Sequence, residues 1–257
     1  MFKFFRKLRF KHMKKDSTSK YLKYAIGEII LVVLGILIAL QINNWNESRK
    51  AQIKERLVLN NLIEDLKSDS TTFNRNIKTL TTINSLHKKL YEYGFKNNDT
   101  ISINNPSYIR RLLYYNPLTK ENDPFIASKI SNDTVRKEIM NYFRILKDVD
   151  NVHGEFIDVI QDRVRIYLAE KELHQLDAWF EKPNTNEEND FYYLNLNTSP
   201  YKNIVKEDDI KRLSKLPEFQ QILFEAAIKS NETLSAIEKA ARQNDKLKET
   251  ITLLLKK

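Results

Sequence analysis

One uninterrupted apolar stretch near the N-terminus constrains this chain more than any other feature. Residues 24–43 read YAIGEIILVVLGILIALQIN, and their central 18 residues contain only Glu28 and Gln41 as strongly polar side chains. In a helix these 18 residues extend about 27 Å, close to the ~30 Å hydrocarbon core of a bilayer. Their twelve Ile, Leu and Val side chains favour insertion by about 4–7 kcal/mol, more than the ~2.5–3.5 kcal/mol cost of one mid-membrane acid. The sequence therefore predicts a transmembrane helix over residues 24–43.

Aromatic side chains flank this stretch on both sides. Tyr21 and Tyr24 lie at its start, and Trp45 follows its end. Amphipathic rings of this kind concentrate at membrane–water interfaces, so we predict that these three residues are interface anchors. Glu28 lies in the first turn of the span, where its carboxylate reaches the headgroups.

The basic side chains orient the predicted span. Nine Lys or Arg residues precede it, and four occur in the fifteen residues that follow residue 42. The positive-inside rule then places residues 1–23 in the cytoplasm as a basic tail and residues 44–257 outside the cytoplasm. The apolar run is longer than the core of a cleaved signal peptide, and Ala-Leu-Gln at residues 39–41 is not a cleavage site. We therefore expect an uncleaved signal anchor.

The net charge of +9 does not indicate a nucleic-acid partner. Residues 1–42 carry nine basic and two acidic side chains, whereas residues 43–257 carry 34 basic and 32 acidic ones. A nucleic-acid-binding domain needs a basic face of its own, and here the excess flanks the membrane. The chain has no cysteine, which excludes disulfides, thiolate metal sites and cysteine nucleophiles.

Small residues lie on one face of the span. Gly35 and Ala39 form a small-xxx-small pair, and steps of three and four residues place Glu28, Val32 and Ile42 on the same face. Small side chains let two membrane helices approach closely. The pattern predicts a helix–helix seam that contains Glu28, Gly35 and Ala39.

A long helix is predicted directly after the span, over about residues 44–93. Apolar side chains recur every seven residues from Leu59 to Leu80, but Asp69 and Asn76 interrupt the neighbouring stripe. Such interruptions favour a bundle helix over a strict coiled coil. Gly94 is the predicted end of this helix.

Two further long helices are predicted, over about residues 132–176 and 217–254. Gly154 is a weak point in the first of them, and Pro217 is suited to open the second. Between the long helices, we expect short helices near residues 105–115 and 208–216 and an exposed loop over residues 181–204. The predicted fold is therefore all-α, with one N-terminal transmembrane helix followed by an elongated extracytoplasmic bundle of three long helices plus short helices.

The chemistry-bearing residues do not form a recognisable catalytic set. The four glycines cannot form a Walker loop, a dinucleotide fingerprint or a nucleophile elbow. The four histidines (His12, His87, His153 and His174) lack the Glu-x-x-His spacing of a bundle metal site. Acidic residues 187–188 and 207–209 are interpreted as a loop and a helix start. We accordingly predict no catalytic, cofactor-binding or metal-binding residue.

The run from Tyr24 to Glu47, preceded by KFFRKLR, resembles the N-terminal signature of a single-pass membrane family of flavobacteria and related Bacteroidota. The resemblance covers about residues 2–60: the basic start, the IGEI entry, the apolar span and the QINNWNE exit. That family is a domain of unknown function without an assigned activity, cofactor or catalytic residue. The resemblance implies an inner-membrane anchor and a periplasmic helical domain over residues 44–257.

These observations predict a membrane-anchored protein-interaction or assembly module. Its expected partners are the membrane itself and either a second copy or another membrane or periplasmic protein, without nucleic acid. The alternative is a periplasmic sensory module that signals through a membrane partner, because the 23-residue tail leaves no room for an enzymatic output. An enzyme of unknown type ranks third, since the sequence offers so few site candidates.

Overall fold

The computed structural model describes residues 18–180 and 204–256, and within these ranges every regular element is helical. The all-α prediction is confirmed for this part of the chain. The chain divides into two compact units, Met1–Glu55 and Arg56–Lys257. We call the second of them the helical unit. The helix α1 (Thr18–Gly94) contributes to both units.

The N-terminal unit contains the apolar stretch on which the sequence prediction was based. Within α1, an 18-residue window is long and apolar enough to cross a membrane, and none of that window is buried inside the structure. In a soluble core helix, such a window would be largely covered by other parts of the chain. A candidate transmembrane helix near the N-terminus is thus confirmed by length and composition.

Three long helical stretches build the helical unit. The first is the later part of α1, whose heptad residues Leu59, Leu66, Phe73 and Leu80 are all buried. The second consists of α3 (Asp133–Asp158), a π-helical segment (Val159–Arg165) and α4 (Ile166–Glu170), which follow one another without a break. The third is α7 (Pro217–Leu255). Each fully buried Leu, Ile or Phe stabilises this core by roughly 1.5–3 kcal/mol.

Side-chain contacts establish the direction of these helices. Asn244 of α7 bonds Leu66 of α1, whereas Ser230 of α7 bonds Asn84, so α7 and α1 run antiparallel. In the same way, Gln243 bonds Glu138 of α3 and Thr233 bonds Val152, so α7 is antiparallel to α3 as well. The apolar side chains of all three stretches form one hydrophobic core.

Short helical elements lie between the long helical stretches. They are a 3₁₀ helix at Pro106–Arg110, α2 at Leu118–Asn122, a second 3₁₀ helix at Ile126–Lys129, α5 at Asp177–Phe180 and α6 at Glu207–Ser214. The predicted helix over residues 105–115 is therefore too long, because regular helix ends at Arg110 and the chain is extended at Arg111.

Three helix boundaries have identifiable physical causes. The Asn132 side chain accepts a hydrogen bond from the Val135 amide (3.0 Å) and caps the start of α3. Pro217 occupies the first position of α7, as predicted, where its missing N–H has no helical partner to lose. At Gly94, a Cβ atom would come within 1.9 Å of the Ser214 carbonyl oxygen. Glycine is therefore required there because the backbone of Ser214 packs directly against it.

The second long helical stretch differs from its prediction at two points. It ends at Glu170 rather than near residue 176, because a turn with Glu172 in the left-handed region (φ 53°) terminates it. The bonds from the Leu173 amide to Leu168 O and from the Glu172 amide to Ala169 O form a Schellman motif. Gly154, predicted as a weak point, lies inside regular α-helix.

Candidate functional site

The predicted seam and anchors lie on the exposed surface of the N-terminal unit. Tyr24 and Trp45 are 68% and 66% exposed, and the side chain of Tyr21 lies outside the described residues. Glu28, Gly35 and Ala39 are also exposed. A Cβ atom at Gly35 would meet nothing within 4 Å, so the chain itself leaves open space beside this glycine.

A core polar network links the three long helical stretches. We use this name for Asp69, Thr119, Tyr142 and Asn244, which are at most 2% exposed. The Asp69 carboxylate accepts bonds from the Leu118 amide (2.6 Å), the Thr119 hydroxyl (2.7 Å) and the Tyr142 hydroxyl (3.0 Å). The Asn244 side-chain amide donates to the Tyr142 hydroxyl at 3.0 Å. The network therefore joins α1, α2, α3 and α7 through side chains that water does not reach.

Burial has a marked effect on the acidic groups of this network. Desolvation raises the pKa of Asp69, while the hydrogen bonds from Thr119, Leu118 and Tyr142 oppose that rise. Desolvation, and the nearby Asp69 carboxylate, raise the pKa of the Tyr142 hydroxyl far above its usual range. An interaction with a buried carboxylate is directional and needs its specific donors. The network is thus suited to fixing how the helices align.

A second buried polar group surrounds His87, on the same helix as Asp69. Ser230 Oγ donates to Asn84 Oδ1 (2.6 Å) and lies 3.3 Å from His87 Nδ1. Desolvation lowers the pKa of His87 to about 4, so the imidazole is neutral at pH 7. Although a serine beside a histidine supplies two of the three members of a hydrolytic triad, Ser230 and His87 are 0% and 3% exposed. This pair is inaccessible to a substrate.

His153 makes its polar contact within the core rather than with the acidic residues next to it in sequence. His153 is buried, and its Nε2 lies 3.3 Å from the Leu113 carbonyl oxygen. Its neighbours in sequence are engaged elsewhere, since Asp150 pairs with Lys120 and Glu155 pairs with Lys229. Across residues 18–180 and 204–256, no group of three or more His, Asp or Glu side chains could hold a metal ion.

Where the structure describes them, the acidic tracts have structural roles. Glu207 accepts a bond from the Ile103 amide (3.1 Å) and pairs with Lys211 (2.8 Å), which anchors the start of α6. Acidic residues 187–188 lie outside the described residues, as do His12 and the basic tail up to residue 17.

The site with the clearest potential for a ligand is an arginine cluster. We define it as Arg110, Arg111, Arg165 and His174, all of which are half-buried. The 3₁₀ helix ends at Arg110, and Arg165 is the last residue of the π-helical segment. Nε and Nη2 of Arg165 donate to the Arg110 carbonyl oxygen at 3.2 and 3.1 Å. π-Helical turns occur often at functional sites, and here one carries an arginine into the cluster.

Like charges dominate the electrostatics of the arginine cluster. Burial lowers the pKa of Arg165, and repulsion from Arg110 and Arg111 lowers it further. Burial also lowers the pKa of His174, with added repulsion from Arg110 and Arg165. Over the described part of the chain, no carboxylate offsets these charges, and no partner accepts from the buried Nε atoms of Arg110 and Arg111. These groups are therefore partly removed from water without a compensating acid among the described residues.

Comparison with known proteins gives one finding. Residues 28–104 match a family described as "Family of unknown function (DUF6090)". The match covers residues 28–43 of the candidate span and most of the described α1, but it does not reach the arginine cluster. No curated protein and no solved structure matches the chain. The resemblance to a family without assigned activity is confirmed in this region, and it adds no catalytic or binding residue.

The sequence prediction did not identify the arginine cluster. One available signal was the Arg110–Arg111 pair inside the otherwise apolar and aromatic run SYIRRLLYY. In such a run, either the arginines are partly buried together with their apolar neighbours, or the apolar neighbours are exposed to water together with the arginines. The third arginine lies 55 residues further along the chain, so no local pattern connects it to the first two.

Proposed function

We propose that this protein is a membrane-anchored interaction module whose span associates with a second copy of itself in the bilayer. The observation that carries the proposal is the apolar window of α1, none of which is buried by the rest of the chain. An apolar helix surface of this size needs a partner outside the chain, either lipid or another helix. Gly35 and Ala39 provide the close approach that a helix–helix contact in lipid requires.

The test is chemical crosslinking of the full-length protein in native membranes, with Gly35→Leu as the variant and Gly27→Leu as its matched control. Both glycines lie in the span, and a Cβ atom at either one would meet nothing within 4 Å. Only Gly35 lies on the predicted seam. We expect a crosslinked dimer in the wild type and in Gly27→Leu, and its loss in Gly35→Leu.

Two results would contradict this proposal. Equal dimer yields in the two glycine variants would show that the seam is not the contact. Recovery of one different membrane protein, unaffected by Gly35→Leu, would make the chain an accessory subunit of that protein.

The proposed topology places the N-terminus in the cytoplasm and residues 44–257 in the periplasm, with the span in the inner membrane. The support is the excess of basic residues before the span. Because the chain has no cysteine, single variants report accessibility cleanly. In spheroplasts, a membrane-impermeant maleimide should label Ser68→Cys, at an exposed position, and should label Ser19→Cys only after lysis. The reverse result would overturn the orientation.

We further propose that the helical unit is not an enzyme. The support is that Asp69 and His87, two deeply buried ionisable groups, are 2% and 3% exposed. A sensory role, through a membrane partner, is the second candidate. It is favoured by the arginine cluster, because uncompensated half-buried charges are typical of a ligand site rather than of an inert spacer.

A further inference from the structure

Hydrogen bonds to the backbone hold the segments that carry the arginine cluster. Arg165 donates twice to the Arg110 carbonyl oxygen, and the Arg111 amide donates to Tyr108 O (3.1 Å) at the end of the 3₁₀ helix. The Val205 amide donates to the Ser107 hydroxyl (3.1 Å). The Gln175 amide donates to Ile204 O (2.8 Å), which fixes the backbone next to His174. The cluster is therefore built on ordered elements rather than on a single exposed loop.

The cluster collects positive charge that the described chain does not balance. Arginine stays protonated throughout the physiological pH range, so Arg110, Arg111 and Arg165 contribute three positive charges. Elsewhere in the helical unit, Lys229 pairs with Glu155 and Lys246 pairs with Glu138, each across two helices. The arginine cluster has no such acidic partner among the described residues, and the Nε atoms of Arg110 and Arg111 are buried there without a hydrogen-bond acceptor.

We propose that the arginine cluster binds a phosphate-type dianion, either free or as the phosphate group of a larger molecule. Guanidinium groups present planar N–H donors that match phosphate oxygens and bind them bidentately. A dianion offsets three neighbouring positive charges better than a single carboxylate does. Arg110, Arg111 and Arg165 would bind the oxygens, and His174 would lie beside them. This inference does not depend on whether the span forms a dimer.

The experiment measures the thermal midpoint of the full-length protein in dodecyl maltoside, an uncharged detergent, by circular dichroism at 222 nm. Inorganic phosphate is added at constant ionic strength, with chloride as the replaced anion. We expect the midpoint of the wild type to rise by about 3–5 °C for each tenfold increase in phosphate above Kd, from the linkage between binding and unfolding.

The key variant is Arg111→Gln, which removes one charge and no side-chain hydrogen bond that the structure shows. Its matched control is Arg163→Gln, at an exposed arginine of the same π-helical segment as Arg165. We expect Arg111→Gln to lose most of the phosphate response and Arg163→Gln to keep it. General salting effects of phosphate act on all three proteins alike, so the difference between the variants isolates the site.

A second readout does not depend on unfolding. A bound dianion favours the charged imidazolium, so phosphate should raise the pKa of His174, measured by NMR, in the wild type and in Arg163→Gln but not in Arg111→Gln. A parallel titration with dihexanoyl phosphatidate separates the sources. A response to both compounds indicates a site for a free phosphate group, and a response to phosphatidate alone assigns it to a lipid headgroup.

The proposal is overturned if neither compound changes the thermal midpoint or the pKa of His174 in the wild type. It is also overturned if Arg111→Gln and the wild type respond equally. If neither compound has an effect, a loss of stability on combining Glu187→Gln, Glu188→Gln and Asp190→Asn would identify the chain's own acidic segment as the partner of the arginines.

Discussion

The core polar network and the arginine cluster belong to the same helical unit, and both withdraw ionisable groups from water. They differ in the origin of their partners. Asp69 is almost fully buried and accepts bonds from two hydroxyls and two backbone amides of other elements. In the arginine cluster, the strongest electrostatic effects after burial on Arg165 come from other arginines. One site is completed by the chain, whereas in the other no acid among the described residues offsets the positive charge.

This difference distinguishes polar groups that specify a fold from those available for recognition. A buried polar group whose partners come from the same chain stabilises one arrangement of the helices and penalises others. A half-buried group whose neighbours repel it makes the folded state less stable. The comparison therefore predicts that substitutions at the two sites change stability in opposite directions.

The largest change in the free energy of unfolding is expected for Asp69→Ala. The change leaves the Leu118 amide and the Thr119 and Tyr142 hydroxyls without their acceptor in a dry environment, where each unpaired donor costs ~1–3 kcal/mol. Because a desolvated carboxylate is removed at the same time, we expect a net loss of about 2–4 kcal/mol in the free energy of unfolding. Chemical denaturation monitored by circular dichroism measures this loss of stability.

The matched control is Asp65→Ala, one turn earlier on α1. Asp65 accepts a bond from the Asn122 side chain (2.9 Å) at an exposed contact. Exposed contacts of this kind contribute about 0.5 kcal/mol. If Asp65→Ala destabilised the protein as much as Asp69→Ala, the network would have no special role in the core.

The next prediction concerns the pH dependence of the free energy of unfolding. It arises from His87, a buried group whose hydrogen bonding is incomplete. Its pKa is lowered to about 4 in the folded chain, and in the unfolded chain it is ~6.5. The unfolded state therefore binds the extra proton between these values. The stability contributed by neutral His87 is fully present above pH 6.5 and is lost as pH falls towards 4, by up to about 3 kcal/mol.

The His87→Leu variant tests this prediction, because leucine fills a similar volume and does not titrate. Ser230 keeps its bond to Asn84 in this variant. The difference in unfolding free energy between wild type and His87→Leu should shift by up to about 3 kcal/mol in favour of the variant from pH 7 to pH 4. Burial lowers the pKa values of His153 and His174 as well, and their contributions cancel in the difference. A difference independent of pH would refute the prediction.

Local periodicity explains what the sequence predicted well. The heptad spacing from Leu59 to Leu80 indicated a buried stripe, and these residues are 2% exposed or less. The apolar run at residues 24–43 and the start of α7 at Pro217 were likewise visible in short windows. In a helix, the side chains of the buried face recur at fixed intervals along the chain. A single segment of sequence therefore shows which residues are buried.

Long-range partners explain what the sequence did not predict. Asp69 and Asn76 were read as interruptions of an apolar stripe, yet both are buried. Their partners, such as Tyr142 and the Tyr114 carbonyl oxygen, lie 73 and 38 residues away. No spacing rule along the chain could have paired these residues before the helices were packed.

A smaller effect is expected for Tyr142→Phe, which removes only the hydroxyl that joins Asp69 to Asn244. Asn244 keeps its bond to the Leu66 carbonyl oxygen (3.0 Å), and Asp69 keeps three donors. We expect a loss of about 1–2 kcal/mol. A double-mutant cycle with Asn244→Ala should give a coupling energy of about 0.5–1 kcal/mol, since the two groups are in direct contact. Strict additivity would show that the Tyr142–Asn244 bond contributes nothing.

The smallest effect, and the one of opposite sign, is expected for Arg111→Gln in buffer without multivalent anions. Burial lowers the pKa of Arg111, and the nearby Arg75 lowers it further while Tyr108 opposes this. Both lowering effects mean that the charged form is disfavoured in the folded state. The neutral glutamine should therefore stabilise the protein by about 0.5–1 kcal/mol, raising the thermal midpoint by ~1–4 °C. For Arg163→Gln, the free energy of unfolding should stay within about 0.5 kcal/mol of the wild-type value. A loss of stability in Arg111→Gln would mean that the chain itself supplies the missing acceptor, and the contrast between the two sites would then disappear.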